Sequence, residues 1–504
     1  MSRYRQRPLQ GCAIVPPRAA GWSLASIFLT LSLLCRPAVL NADAKQDIRY
    51  DILSSELGAQ LPTGAGVRVG QIEGPQTGGN YLPSLNPPTY AEFLGKNFVI
   101  QSGTTGVSTH ARGVGQWFYG SSTSIAPGIA QVEAFEINSY LGDFLKVGTM
   151  AKPLAPTARV YNHSWVGEAD NNTTNLDALR RIDYVVEKYD TLQVVGINNG
   201  SGSINYPLLS QAMNVIAVGR TDGNHASVTT NLSDPAGKYV AGRTTPQIVA
   251  PRTTTSQATA LVSGAAAMLI EAASTNTQWS NGSYNVPNGQ TVQHAATAEV
   301  IKAALMAGAR REDVSNYVVN TLNGLNQKFG AGELDIYNSY HILAGGEQDG
   351  GSPLSAPVTI GAFGFDYAPS FANNQESWYQ FTSASELSVS LAWNIAIAGG
   401  GLTFDGTATL PNFDLYLYRI DAGSPTLIAS STSTIDNTEN LWLTNLDPQA
   451  TYRIAVNRND ALGSFDYGLA WRMTVVPEPS SLALGIVAAA ALALMMTVKL
   501  TCPL

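Results

Sequence analysis

Cysteine is nearly absent: the 504 residues contain 3, Cys12, Cys35 and Cys502, all close to the chain ends, so the long body between them has none. That excludes a disulfide framework and any thiolate metal site in the body, and leaves core burial to hold the fold together. Charge is also sparse. Asp, Glu, Lys and Arg make up 13% of the chain, 29 basic against 37 acidic residues, for a net charge of -8. No Lys/Arg run is long enough to follow a phosphate backbone, so nucleic acid is excluded as a partner. A fixed-period repeat is missing too. What is present is 44% hydrophobic residue with 47 Gly and 26 Pro, a globular composition rather than a disordered or polytopic membrane one. At roughly 150 residues per domain, the length corresponds to about three domains.

Both ends carry apolar runs. Arg3, Arg5, Arg7 and Arg18 precede Trp22 to Leu34, and Ala42-Asp43-Ala44 has the small-x-small pattern that a signal peptidase accepts. The expectation is a signal peptide over 1–44, cleaved after Ala44, because the run falls short of the ~20 residues that span a bilayer. A second uncharged run, Leu482 to Val498, reaches about 25 Å at ~1.5 Å per residue. It follows Val476-Pro477-Glu478-Pro479-Ser480 and ends at Lys499, which resembles the PEP-CTERM sorting tail of bacterial exported proteins. The resemblance implies an exported protein of the cell envelope or extracellular space. It also implies export and C-terminal sorting machinery as partners, and a transmembrane helix within 476–504 until the tail is removed.

Between the ends the texture changes once. From about Gly66 to Leu343, short β-branched runs alternate with helical stretches, the pattern of a parallel sheet covered by helices. Strands are expected at Val67 to Ile72, Ile129 to Phe135, Val160 to Ser164, Leu192 to Ile197, Val215 to Val218 and Ile248 to Ala250. Helices are expected at Thr174 to Glu187, Ala258 to Ala273 and Ala295 to Ala309, from apolar residues spaced by three and four. Gly345-Gly346 and Gly350-Gly351 mark a linker over 346–357. Beyond it, alternating strands at Trp378 to Phe381, Leu387 to Leu391, Phe413 to Tyr418, Asn440 to Leu443 and Tyr452 to Val456 indicate a β-sandwich over 358–475. The fold class is therefore α/β, a mostly parallel sheet flanked by helices over 45–345, followed by an all-β sandwich.

Four polar residues stand where such a sheet presents chemistry. Glu73 ends the first expected strand, and the carboxyl ends of parallel strands are where catalytic groups gather. His110 is one of only 5 histidines and precedes Ala111-Arg112-Gly113-Val114-Gly115, small residues that open a helix and let it pack closely. Asn199 lies just past another strand in a Gly-rich turn, where its amide can serve an oxyanion. Ser256 opens the Ala-rich helix, whose N-terminus offers unpaired N–H groups and positive potential. Taken singly, each has a plainer role as an N-cap, a turn or a structural histidine.

Their order, acid, His, Asn, Ser, resembles the subtilases, the subtilisin-like serine proteases. Val67 to Gly74 is similar to the family's Val-Ala-Val-Ile-Asp-Thr-Gly strand, with Glu73 in the aspartate position, and Ser108 to Gly115 to its His-Gly-Thr-His-Val-Ala-Gly motif, with His110 in the catalytic place. Asn199 matches the oxyanion asparagine, and Thr254 to Gly264 resembles Gly-Thr-Ser-Met-Ala-Thr-Pro-His-Val-Ala-Gly, with Ser256 as nucleophile. Ser164, Trp165, Val166 and Gly167 correspond to the edge that binds the substrate backbone. The resemblance implies an exported serine endopeptidase with a Glu-His-Ser triad, acting on a polypeptide substrate through an acyl-enzyme. No cofactor is needed for that chemistry. The alternative is a degenerate subtilase fold reused as a surface binding or scaffold protein.

The sandwich also resembles a β-barrel appended to some bacterial subtilases, through Leu391-Ala392-Trp393, Phe413 to Tyr418 and Asp436-Asn437-Thr438-Glu439-Asn440. Asp414, Asp436 and Glu439 are its candidate ligands for a structural calcium, as hard oxygen donors.

Overall fold

The computed structural model describes residues 44–227, 232–352, 354–458 and 460–475. The expected signal run Trp22 to Leu34 and the tail from 476 to 504 lie outside the described residues.

The amino-terminal unit is built on seven strands: β1 (Val69–Glu73), β2 (Asn97–Ile100), β3 (Gln131–Glu136), β4 (Val160–His163), β5 (Leu192–Gly196), β6 (Ile216–Arg220) and β7 (Ile248–Ala250). They are ordered β2-β3-β1-β4-β5-β6-β7 and every pairing is parallel. Strands β1, β4, β5, β6 and β7 are buried at every position, because helices cover both faces of the sheet. On one face Val69, Val132, Val160, Val194, Ile216 and Ile248 pack with Val114 and Phe118 of the Thr109–Tyr119 helix and the Thr255–Thr275 helix. On the other, Ile72, Phe135, Tyr161 and Val195 pack with Leu176, Leu179 and Ile182 of the Asn172–Tyr189 helix.

The six strands expected here are present, Ile248–Ala250 with its expected ends and the others with ends moved by at most two residues. The seventh, β2, gave no signal because an edge strand needs only one buried residue, and Phe98, 2% exposed, is that residue. The Thr255–Thr275 helix is long and apolar enough to cross a membrane by length and composition, yet 83% of its apolar window is buried inside the molecule.

The carboxy-terminal unit has two main sheets, beside a short pair of Ala396–Ile397 with Ala408–Thr409. Val358–Thr359, Glu376–Phe381, Thr451–Arg458, Phe413–Asp421 and Ser424–Ser431 form one, and Phe363–Phe371, Phe465–Val475, Ala384–Ala392 and Thr438–Thr444 the other. Between them lies a core with Phe413, Leu415, Tyr467, Leu469 and Trp471. Phe363–Phe371, Ser424–Ser431 and Phe465–Val475 were not among the expected strands. The last is buried on both sides: Tyr467, Leu469, Trp471 and Met473 enter the sandwich core, while Gly468 and Ala470 face the Ala298–Gly308 helix. That helix is buried along its whole length, Glu299 and Lys302 included, since it is clamped between the two units. The glycine-rich segment is pinned to both, with Glu347 N–H donating to Trp279 O at 2.8 Å and Gly351 N–H to Trp378 O at 2.9 Å.

The clamp leaves no space at Gly468, where a Cβ would stand 2.6 Å from Val300 N and 2.7 Å from Glu299 C, both backbone atoms. Gly468→Ala is expected to cost about 1–3 kcal/mol through overpacking, measured as a lower urea midpoint with an unchanged slope.

Candidate active site

The carboxyl ends of the strands converge on one cleft of ≈ 890 Å³, lined by, among others, Gln76, His110, Trp165, Asn198, Asn199 and Ser256. Glu73 closes β1 and is 1% exposed. His110 lies in the first turn of the Thr109–Tyr119 helix, whose N-cap Ser108 accepts a hydrogen bond from Ala111 N–H at 3.1 Å. Ser256 is the second residue of the Thr255–Thr275 helix, capped by Thr254, which accepts from Gln257 N–H at 3.2 Å. Two helix starts are thus aimed at the end of one strand.

The three side chains form a continuous hydrogen-bonded line. Glu73 Oε2 is 2.8 Å from His110 Nδ1, and His110 Nε2 is 3.1 Å from Ser256 Oγ. A carboxylate can only accept, so Nδ1 carries the proton in that pair and Nε2 is left to accept from the serine hydroxyl. The charge of Glu73 raises the His110 pKa above its ordinary 6.5, against the lowering effect of burial. A glutamate is a methylene longer than an aspartate, but it reaches the ring at hydrogen-bond distance because its carboxylate is held from behind. Gln71 Nε2 donates to Glu73 Oε1 at 2.7 Å.

Asn199 Oδ1 accepts from Thr255 N–H at 2.9 Å, which anchors the amide at the start of the serine helix. Among the described residues its Nδ2 has no protein acceptor, and the residue borders the cleft beside Ser256. Ser164 Oγ donates to Ser256 O at 2.9 Å and ties the end of β4 to the same helix. Of the expected substrate edge, Ser164, Trp165 and Val166 line the cleft. Gly167 stands outside it, its carbonyl accepting Leu208 N–H at 3.0 Å.

Sequence reasoning passed over Gln71 and Tyr119, which stand behind the acid, and Gln76, whose Oε1 accepts from Ser108 Oγ at 2.9 Å and Thr109 N–H at 3.0 Å. The available signal was a glutamine inside an otherwise apolar strand.

The acidic residues of the sandwich fall differently from expectation. Asp436 accepts from Thr244 N–H at 3.0 Å and Ser433 Oγ at 2.8 Å, and Glu439 accepts from Ser433 N–H at 2.6 Å and from Ser431 Oγ. Asp414 accepts from Tyr416 OH at 3.0 Å. Asp436 and Glu439 thus take part in loop and inter-unit hydrogen bonds, and Asp414, Asp436 and Glu439 are not a group with ligand atoms within 4.8 Å of one another. Among the described residues the group with mutually close ligand atoms is instead Glu347, Asp349 and Asp366, all within 4.8 Å, an arrangement compatible with a structural metal ion. Glu347 and Asp349 come from the glycine-rich segment and Asp366 from the Phe363–Phe371 strand, a convergence invisible in spacing.

No protein-family model matches the chain, and no curated protein matches it. Among solved structures, fervidolysin from Fervidobacterium pennivorans, a keratinolytic enzyme related to subtilisin, is 13% identical with a TM-score of 0.31, covering 82% of this chain and 74% of that one. Tripeptidyl peptidase 2 is 12% identical with a TM-score of 0.30, covering 74% of this chain and 41% of that chain. The pre-peptidase C-terminal domain of collagenase from Bacillus anthracis is 16% identical with a TM-score of 0.17, covering 23% of this chain and 93% of that chain. These likenesses are distant, and the chemistry is read from the site itself.

Two titrations test the electrostatics. Replacing Glu73 by Gln removes the charge that raises His110 and keeps the burial that lowers it. His110, followed by imidazole NMR, is therefore expected to titrate above 6.5 in the parent and below 6.5 in Glu73→Gln. Burial pushes Glu439 up from 4.5 to about 9, reinforced by Asp436 and Asp414, so the folded state favours its neutral form. That contribution to stability is complete below 4.5 and is lost as pH climbs through about 9. Glu439→Gln should flatten this loss, melting ~2–4 °C above the parent at alkaline pH.

Proposed function

We propose that the chain is an exported serine endopeptidase. The single observation that carries this reading is the Glu73–His110–Ser256 line, with distances of 2.8 and 3.1 Å, opening on a cleft that Asn199 also borders. Ser256 Oγ attacks the scissile carbonyl while its proton passes to His110 Nε2, and Glu73 holds the ring in the tautomer that can receive it and stabilises the imidazolium. The negative charge that develops on the carbonyl oxygen is met by Asn199 Nδ2 and the Ser256 N–H. Collapse of the tetrahedral adduct expels the amine, which takes the proton from His110, and leaves an ester on Ser256. Water then attacks that ester by the same proton route and releases the acid.

A polypeptide fits the substrate role, since Ser164, Trp165 and Val166 border the cleft directly after β4 and can pair with an extended backbone by strand addition. The Arg-flanked run before Ala44 and the Pro-Glu-Pro tail support export followed by sorting at the cell envelope. The boundaries that go with this reading are a catalytic unit at 45–345 and a sandwich at 358–475.

A fluorophosphonate probe, which phosphonylates an activated serine with loss of fluoride, is expected to label the parent protein and not Ser256→Ala. No Ser256-dependent adduct between about pH 6 and 10 overturns the hydrolase reading and leaves a non-catalytic binding protein. With a cleaved peptide in hand, Asn199→Ala should lower kcat by ~10²–10³-fold with little change in KM.

A further inference from the structure

We infer that Gln71 is a positioning residue: it locks the strand that carries Glu73 to the helix that carries His110, and so allows a glutamate to stand where a shorter acid would otherwise be needed. Its catalytic consequence rests on the hydrolase reading above; its structural consequence does not.

Gln71 is fully buried in β1, two residues before Glu73, so both side chains leave the strand on the same face. Its amide is completely committed. Nε2 donates to Glu73 Oε1 at 2.7 Å and to Ala111 O at 2.8 Å, while Oε1 accepts from Tyr119 OH at 2.5 Å. The amide cannot be turned over, because that would face its oxygen toward a carboxylate and a carbonyl and its NH₂ toward a phenol. Ala111 and Tyr119 both belong to the helix that carries His110. One strand side chain therefore grips that helix at two points two turns apart and grips the acid at a third.

The helix is shaped for this grip. Ala111, Gly115 and Tyr119 follow at intervals of four, which places them on one helical face. A Cβ at Gly115 would lie 2.5 Å from the Tyr119 hydroxyl oxygen and 2.8 Å from its ring carbon. Only glycine leaves the phenol room to reach Gln71. Glu73 has one more rotatable bond than aspartate, and in a site this buried a carboxylate oxygen without a donor is costly. The Gln71 amide satisfies Oε1 with a charge-assisted bond and fixes the terminal rotation, so that Oε2 faces His110 Nδ1. Without that bond the carboxylate can swing, and the imidazole loses both its orienting partner and the nearby charge.

The test uses Gln71→Leu and Tyr119→Phe in the full chain, with two readouts. The first is NMR of His110: the Nδ1–H resonance and the imidazole titration. Gln71→Leu should weaken or abolish the downfield Nδ1–H signal and lower the His110 pKa, and Tyr119→Phe should move both in the same direction by less. The second is the rate of Ser256 phosphonylation, expected to fall about 10–100-fold in Gln71→Leu with its pH midpoint displaced downward. A folded Gln71→Leu with parental His110 signals and labelling rate overturns the inference. Should Gln71→Leu not fold, Tyr119→Phe decides, since it keeps both Gln71 donors, and parental His110 signals there overturn it equally. If His110 responds as expected but the parent is never labelled, the positioning role stands and the hydrolase reading falls.

Discussion

A parallel sheet covered on both faces has one place where polar side chains can meet solvent in concert, its carboxyl edge, and the cleft of this protein is that edge. The same constraint governs the polar groups inside. Asn162, His163 and Gln193 are fully buried: His163 Nε2 pairs with Gln193 Oε1 at 2.8 Å, leaving its Nδ1 without a partner among the described residues, and Asn162 pairs with Ser164 and Ser263 at 2.9 and 3.1 Å. Burial drives His163 and His225 down to about 4, so both are neutral at physiological pH. His110, facing Glu73, is driven the other way. One imidazole at the edge is thus tuned to take a proton while two nearby in the fold are prevented from doing so.

The second unit is welded to the first rather than tethered beside it. Asn214 exchanges hydrogen bonds with Ile395, donating to its carbonyl at 3.0 Å and accepting its N–H at 2.8 Å, and Asp436 receives Thr244 N–H at 3.0 Å. The Ala298–Gly308 helix, with its buried Glu299 and Lys302, exists in this form only because a sandwich sheet covers what would be its solvent face. Lys302 gives its ammonium to Met213 O at 3.0 Å, and burial lowers its pKa to about 7. The sandwich therefore contributes to the core of the α/β unit, and the acids that look like ligands in its sequence are partly used to hold that contact.

Elements with a local cause were legible in the chain. The buried β-branched strands and the Ala-rich helix repeat their patterns over a few residues, and they lie where periodicity put them, the strands within two positions and the helix within three. Two of the unexpected strands owe their burial to neighbours outside the segment, whereas Ser424–Ser431 is mostly exposed and is held by pairing with Phe413–Asp421. Asn97–Ile100 needs only Phe98, while Phe465–Val475 carries a plain alternation of large apolar and smaller residues, and only the covering helix explains why Gly468 and Ala470 are small. In the site, Glu73, His110, Asn199 and Ser256 were singled out by their place at strand ends and helix starts and by an order that resembles a known family, since none is specific alone. Gln71 was not, because its meaning depends on Tyr119 and on the notch at Gly115.

By itself the sequence determined the alternation of strand and helix, the change to an all-β texture, and a set of polar residues at strand ends and helix starts, because these follow from period and composition within short windows. The tertiary structure alone decided that a glutamate's carboxylate meets an imidazole 37 residues away, and that the imidazole meets a serine 146 residues further on. It also decided that Gln71 braces the acid and that the close acidic group is Glu347, Asp349 and Asp366. Those are distances of a few ångströms between segments far apart in the chain, and only the packing of helices against both faces of the sheet sets them.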